Sequence, residues 1–337
     1  PVPPLPHEPR IQQRSDDLAA AGLHPFHAPG GVLRDEDTPQ TSICVRCGNC
    51  DGFPCPLHAK ADAEVMGVRP ALESPDVTLL TDARAVRLNT NPEGTSVTEV
   101  VIEGGRATGV AARKNALHRF VPADLVVLAA GGFGTPAILE RSGIECEQTL
   151  FVDPVLTVAA RVPNAWQCNE IEMPFVVQRE GYILSPYFDW ISSLFHPAWR
   201  HRLQDIVGIM IKLADDNVGS VSGRKVHKLL TPADRSRLDE AVGVATEILG
   251  AFGVDPREVF LGTVHAGHPG GMLPLTEASA PTMHDDRLPE NVYVADATLF
   301  PRSLGNPPIL TIIAMAKRIA AICAAQVAPS RLVTSRR

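Results

Sequence analysis

The apolar positions of this chain change period several times, and each change predicts an element. Val77-Thr-Leu-Leu and Ala85-Val-Arg-Leu read as strands. Val97-Thr-Glu-Val-Val-Ile, Gly104-Gly105 and Ala107-Thr-Gly-Val-Ala-Ala-Arg predict a hairpin closed by a glycine turn. The unbroken run Asp124-Leu-Val-Val-Leu-Ala-Ala fits a strand buried on both faces. It ends at Gly131-Gly132-Phe133-Gly134, and a helical pattern follows through Leu139. Phe175-Val-Val-Gln and Ile206-Val-Gly-Ile-Met-Ile predict further sheet. From Thr231 the period becomes helical: Thr231 caps, Pro232 takes the first helical position and Asp234 sits near the positive end of the macrodipole. Leu238, Val242, Ala245, Ile248 and Leu249 form one apolar face, and Gly253 is a stop. Asn291-Val-Tyr-Val-Ala-Asp predicts a short strand, and Pro307 opens the last helix. Residues 1–43 show no period, and Lys60–Val65 allows one or two helical turns. The longest apolar stretch, Ile309–Ala325, carries Lys317 and Arg318, which favours a buried helix over a membrane span.

Composition narrows the classes. The 337 residues are 45% hydrophobic with a net charge of −7, enough for two domains and without a basic block for nucleic acid. The Pro-rich, polar N-terminus does not read as a signal peptide. Seven cysteines are present, and four fall in Cys44-x2-Cys47-x2-Cys50-x4-Cys55-Pro56. One local cluster in a large chain suggests metal or redox chemistry in a reducing, hence cytoplasmic, setting. Two successive C-x2-C steps can hold an iron–sulfur cluster; four thiolates also suit zinc, and plain thiols stay open. Cys146, Cys168 and Cys323 are isolated and read as small buried hydrophobes. Aromatic residues concentrate in 151–222, which fits a substrate-binding sheet or an ordinary core equally well.

Three segments carry the candidate chemistry. They are Leu128-Ala-Ala-Gly-Gly-Phe-Gly-Thr-Pro-Ala-Ile-Leu-Glu-Arg-Ser-Gly143, His265-Ala-Gly-His268-Pro-Gly-Gly-Met, and Asn291-Val-Tyr-Val-Ala-Asp296-Ala-Thr-Leu-Phe-Pro-Arg-Ser-Leu-Gly-Asn306-Pro-Pro-Ile. Small residues at Ala129–Gly132 let backbone approach a flat or phosphorylated cofactor closely. In order, spacing and wording the three together resemble the glucose–methanol–choline (GMC) oxidoreductase family, from about Cys44 to Ala325. The middle, roughly 145–225, diverges, where such families vary with substrate.

The resemblance implies an α/β FAD-binding fold, incomplete in this chain, with an α+β, antiparallel-sheet substrate domain. Its parts would be 1–150 (partial FAD-binding domain with the Cys-rich loop), 151–284 (substrate binding) and 285–337 (a return to the FAD domain). It implies oxidation of a C–OH group on an alcohol or sugar-like substrate, with hydride passing to flavin N5. The implied catalytic residues are His268 as base and Asn306 as the amide holding the same oxygen, with His265 as an alternative base or its neighbour. Val86, Ala130, Gly131, Asp296, Ala297, Asn306 and Pro307 are the implied FAD contacts, and the last helix would aim its positive end at the flavin. The metal ligands would be Cys44, Cys47, Cys50 and Cys55. Two departures are visible: His268-Pro269 meets its glycine pair one residue early, and Asn306 lies five positions before Thr311. No Gly-x-Gly-x-x-Gly turn follows a strand here, so either a second chain carries that segment, in a split or nicked hetero-oligomer, or these residues are part of a longer protein; the first is the expectation. The rivals are an iron–sulfur electron-transfer subunit, a flavin-free structural partner and a non-redox lyase of the same fold.

Overall fold

The computed structural model describes residues 9–27, 55–104, 117–170, 172–200, 202–223 and 225–334. The chain begins with α1 (Pro9–Ala20) and β1 (Phe26–His27); a π-helical turn, Glu64–Val68, then runs into α2 (Arg69–Ala71). Next come β2 (Ala83–Thr90), β3 (Val97–Gly104), β4 (Leu117–Pro122), β5 (Val126–Leu128), α3 (Gly131–Arg141) and β6 (Pro154–Arg161). β7 (Phe175–Arg179), β8 (Tyr182–Pro186), α4 (Trp190–Phe195), β9 (Ile206–Leu213), β10 (Gly219–Ser222) and β11 (Lys225–Lys228) follow. The last elements are α5 (Pro232–Ala251), β12 (Phe260–Leu261), β13 (His265–Ala266), β14 (Val292–Val294) and α6 (Ile309–Thr334).

Two compact units share these elements. The first comprises Pro1–Leu79, Pro154–Ala214 and Pro232–His265; the second comprises Leu80–Asp153, Asp215–Thr231 and Ala266–Arg337. Thus the described residues before 80 go with the long sheet, whereas 215–231 and 266–284, assigned to the substrate part from sequence, belong to the unit of β5 and α6.

The first unit is built on an antiparallel sheet ordered β1-β7-β8-β9-β6-β12, with β13 also on β6. Registers Leu156↔Ile211↔Leu184 and Val158↔Ile209 set one face. That face packs on α5 through Ala241, Ala245, Ile248 and Leu249, and on Leu18 of α1. The predicted apolar stripe of α5 is therefore the buried one, with Leu238 and Val242 at its margin. The opposite face carries Val155, Thr157, Ile183, Ser185, Met210 and Lys212, all buried. Trp199 is fully buried, edge-on to Phe188 and Phe260 at 6.1 and 5.6 Å, so it is core; Trp166 is 45% exposed.

The second unit holds the antiparallel set β2-β3-β4 and a parallel pair, β5 with β14, joined through Val126↔Val292 and Leu128↔Val294. Several expectations need correction here and at the N-terminus. The aperiodic stretch 1–43 contains α1, whose Ser15 and Leu18 are buried. Val77–Leu80 forms no strand: no neighbour supplies a ladder, and Leu79 and Leu80 are each 54% exposed. β3 pairs with β4, while the expected return strand at 107–113 lies outside the described residues. β5 is not buried on both faces, since Val127 is 43% exposed. α6 is not a buried helix either. Among its described side chains, 309–327, only Ile319 and Cys323 are buried, and Ile309 and Leu310 are 60% and 70% exposed. Two three-residue strands offer too narrow a seam to cover it. By length and composition alone, Ile309–Val327 could cross a membrane, with mean hydropathy 1.6.

Candidate active site

Within the second unit the three chemistry-bearing segments meet a fourth, residues 149–153. The glycines explain how. A Cβ on Gly132 would collide with the Pro269 carbonyl, and one on Gly270 with the Ala297 carbonyl. The small residues thus serve the close approach of backbone to backbone, not only to a cofactor. Phe151 and Gly270 exchange two N–H···O bonds of 3.1 Å, and the amides of Gly271 and Leu273 donate to Ala297 O and Thr298 O at 3.0 and 2.9 Å. The His268 turn is thereby fixed between residues 151–152 and the loop after β14.

Asp153 is the junction. It is 1% exposed, has φ of 52°, and lies with its Oδ2 3.6 Å from His268 Nδ1. Ser303 Oγ donates a short hydrogen bond to its Oδ1. Ser303 Oγ in turn accepts from Gly305 N–H at 3.3 Å, one residue before the half-buried Asn306. The segments of His268 and Asn306, far apart in sequence, are therefore tied to one carboxylate. Asp153 N–H donates to Asp215 Oδ1 at 2.9 Å, and Lys228 Nζ pairs with Asp215 Oδ2 at 2.7 Å. Burial pushes the Asp215 carboxyl up, and the Lys228 ammonium offsets only part of that. His265 belongs to the first unit, where its Nε2 lies 4.0 Å from Asp189 Oδ2. Asp189 is fully buried and held by Ser192 N–H and Oγ at 2.9 and 2.6 Å.

Most implied cofactor residues have structural work as well. Asp296 accepts from Gly131 N–H (3.0 Å), Thr135 Oγ1 (2.6 Å) and Thr298 N–H (2.8 Å), and Ala130 N–H donates to Thr135 Oγ1 at 3.1 Å. This clasp consumes the amides of Ala130 and Gly131 and caps the turn that begins at Ala297. Val86 is skipped by the β2–β3 ladder, in a bulge between Ala85 and Arg87. Its carbonyl accepts from Arg141 Nε at 2.6 Å. α6 starts at Ile309, two residues after the expected Pro307; Ile312 N–H donates to Pro308 O, so the amides before it open the helix. Cys44, Cys47 and Cys50 lie outside the described residues, and Cys55 is a half-buried free thiol. Its slight burial raises its pKa, but the backbone N–H groups of Ala59, Leu57, Lys60 and His58 outweigh that and lower it. Cys146 is pushed up to about 11 by burial, which keeps it an inert thiol.

Sequence reasoning missed Asp153, Ser303, Thr135 and the Asp215–Lys228 pair. One signal existed: Asp153 interrupts the apolar run Leu150-Phe-Val-Asp-Pro-Val-Leu, where a charge needs a partner.

Comparison with known proteins adds four findings. Residues 33–156 match the family model described as GMC oxidoreductase. The chain is 31% identical over 205 residues to an uncharacterised protein of Methanocaldococcus jannaschii, covering 59% of this chain and 53% of that one. It is 24% identical over 354 aligned positions to 6'''-hydroxyparomomycin C oxidase of Streptomyces lividus, covering 92% and 63%. Neither curated relative is spanned to two thirds of its length. The fold resembles pyridoxine 4-oxidase from Mesorbium loti, with TM-score 0.58 at 16% identity over 89% of this chain and 71% of that one. The mixed α/β architecture with antiparallel sheets is thus that of GMC-type FAD-dependent oxidoreductases.

Proposed function

We propose, from the match of residues 33–156 to the GMC oxidoreductase family model, that the chain forms the substrate-side part of an FAD-dependent GMC-type enzyme oxidising a C–OH group. The observation that carries this reading is the shared Asp153 carboxylate, which joins the His268 turn to the loop of Asn306.

The residues fit the flavin in part. The Val86 bulge, the exposed Ala130 and Pro307, and the half-exposed Gly131 leave backbone available to a flat ligand. Asp296 and Ala297 act by shaping that loop. No described residue supplies a glycine-rich pyrophosphate cradle. We propose that a second chain, in a split or nicked enzyme, contributes that segment. The open face of α6 and the unfinished β5–β14 pair support such a covering element.

Bound FAD would supply the hydride acceptor. His268 takes the proton of the substrate hydroxyl, and the Asn306 amide holds the same oxygen so that its C–H stays in line. The substrate proposed is an alcohol or a sugar-like compound that presents this C–OH group. His265 Nε2 lies 4.0 Å from Asp189 Oδ2, and we assign the base to His268.

The test is anaerobic bleaching of the flavin by substrate alcohols in the assembled holoenzyme. His268→Ala should slow it by roughly 10²–10⁴-fold; bleaching at the parent rate sinks the reading. Flavin that never bleaches with any alcohol favours the lyase.

A metal centre at the cysteine loop is a second reading. It is favoured by the amide groups around Cys55, which stabilise the thiolate a ligand requires. Iron and acid-labile sulfide near stoichiometry would support a cluster, zinc would displace it, and neither metal would leave plain thiols.

A further inference from the structure

Resting on that reading of His268, we propose that Asp153 is a positioning residue. It holds the imidazole with its Nδ1 proton toward the carboxylate, so that Nε2 is presented as the proton acceptor. Through Ser303 it keeps the Asn306 loop in register with that ring.

The geometry supports each step. A carboxylate 1% exposed in an apolar strand-like run is costly unless its oxygens are used. Its two oxygens face two different loops: Ser303 donates to Oδ1, and Oδ2 lies 3.6 Å from His268 Nδ1. An ionised carboxylate only accepts, so the ring nitrogen that faces it carries the proton in a neutral imidazole. Nε2 then has the lone pair that a general base needs. When Nε2 takes the hydroxyl proton, the resulting imidazolium sits beside a fixed negative charge, as in hydrolytic triads. The ring turn itself is held at the other end, where His268 N–H donates to Val152 O at 3.3 Å.

Asp153 cannot easily drift. The amides of Val152 and Asp153 donate to the Asp215 carboxylate at 3.1 and 2.9 Å. Asp215 is clamped by Lys228, whose Nζ also donates to Leu150 O and Asp216 O at 3.1 and 2.5 Å. Asp215 and Lys228 are the charges behind Asp153, and as a close pair they offset each other. Arg302, one residue before Ser303, is exposed to solvent. Asp153 thus stands as a buried carboxylate against the His268 ring, its Oδ2 3.6 Å from Nδ1.

Asp153→Asn is the informative variant, because Asn tolerates the left-handed φ and can still accept from Ser303. Its amide can offer an N–H to Nδ1, which stabilises the opposite tautomer. Turnover of the holoenzyme should fall roughly 10²–10⁴-fold with little change in KM. The acidic limb of the kcat/KM profile should move to lower pH by about one unit, because the imidazolium loses its counter-charge. Asp153→Glu should restore part of the rate. Ser303→Ala should lower turnover less and leave that limb in place.

A second readout does not depend on turnover. In the full chain labelled with ¹⁵N-histidine, with the His268 signal assigned by His268→Gln, the parent should show the Nδ1–H tautomer. Asp153→Asn should show Nε2–H. An Nε2–H tautomer in the parent overturns the proposal even if Asp153→Asn fails to fold, as does an unshifted pH limb in a folded variant. If the tautomers are as stated but His268→Ala turns over normally, the pairing stands and the base assignment falls.

Discussion

The long sheet of the first unit is closed on both faces: β6 is buried along seven of its eight residues, and α5 and α1 seal one side. In the second unit the parallel pair β5–β14 has three residues per strand, exposes Val127, and carries a helix with its apolar side open. The first region is held by apolar area. The second, which holds the candidate chemistry, is held in large part by buried carboxylates that gather N–H and O–H donors from separate segments. Asp296, Asp153 and Asp215 each tie together pieces that no ladder joins. Burial secures a scaffold cheaply, whereas polar clasps set side chains to fractions of an ångström, and the two regions divide these tasks.

The sharpest way to break that contrast is to cut each kind of support. Trp199→Ala empties the centre of the aromatic cluster and should cost about 3–5 kcal/mol. Hydrogen exchange should show the loss in peptides of β6, β8 and β9, with the β5–α3 peptides protected as before. Uniform loss across both units would show that the regions are not separately supported. Asp296→Ala leaves three donors without their acceptor and should cost about 1–3 kcal/mol. Its exchange should rise around Ala130–Thr135 and Thr298, and denaturant melts should show the change. A loss under about 0.5 kcal/mol would mean that the clasp is incidental. On the open helix, Leu310→Lys should change the stability of this chain by no more than about 0.5 kcal/mol. The same change should weaken association with the second chain proposed above, read by co-purification of the two polypeptides. A large stability loss in the lone chain would show that Leu310 is packed after all.

The same contrast explains what could be read in the sequence. The regions held by apolar area were legible: α5 announced its first-turn proline and its stripe, and Ile206–Ile211 announced a strand. Elements without area behind them misled, as Val77–Leu80 shows, because an apolar run becomes a strand only where another strand can pair with it. α6 was expected to be buried from its composition, yet burial depends on what lies opposite, which periodicity does not encode. His268 and Asn306 could be picked out by the wording of their segments. Asp153 gave a single signal, a charge inside an apolar run, and its partners stayed hidden because they lie on two loops more than a hundred residues away.

The smallest expected effect separates the units by pH. In the first, burial pushes the Tyr182 phenol up to about 12; its hydrogen bond to Glu240 and that residue's charge add to the rise, while Arg179 lowers it. The folded state therefore keeps this proton longer than the unfolded chain does. The contribution is full below the ordinary phenol value of about 10 and is lost as pH rises through about 12. In the second unit, burial alone would raise Asp285, but hydrogen bonds from Arg287 Nε and Nη2 at 2.8 and 2.7 Å outweigh it and hold the carboxyl below its usual range. That contribution is present above the ordinary carboxylate value and is lost as pH falls through the depressed one. Exchange corrected for intrinsic rate should thus loosen β8 and α5 first on the alkaline side, and the 283–289 turn first on the acid side. Tyr182→Phe should delay the alkaline change and leave the acid one untouched. If both extremes open the same peptides in the same order, the two units share one fate, and the division between area and clasp does not govern their stability.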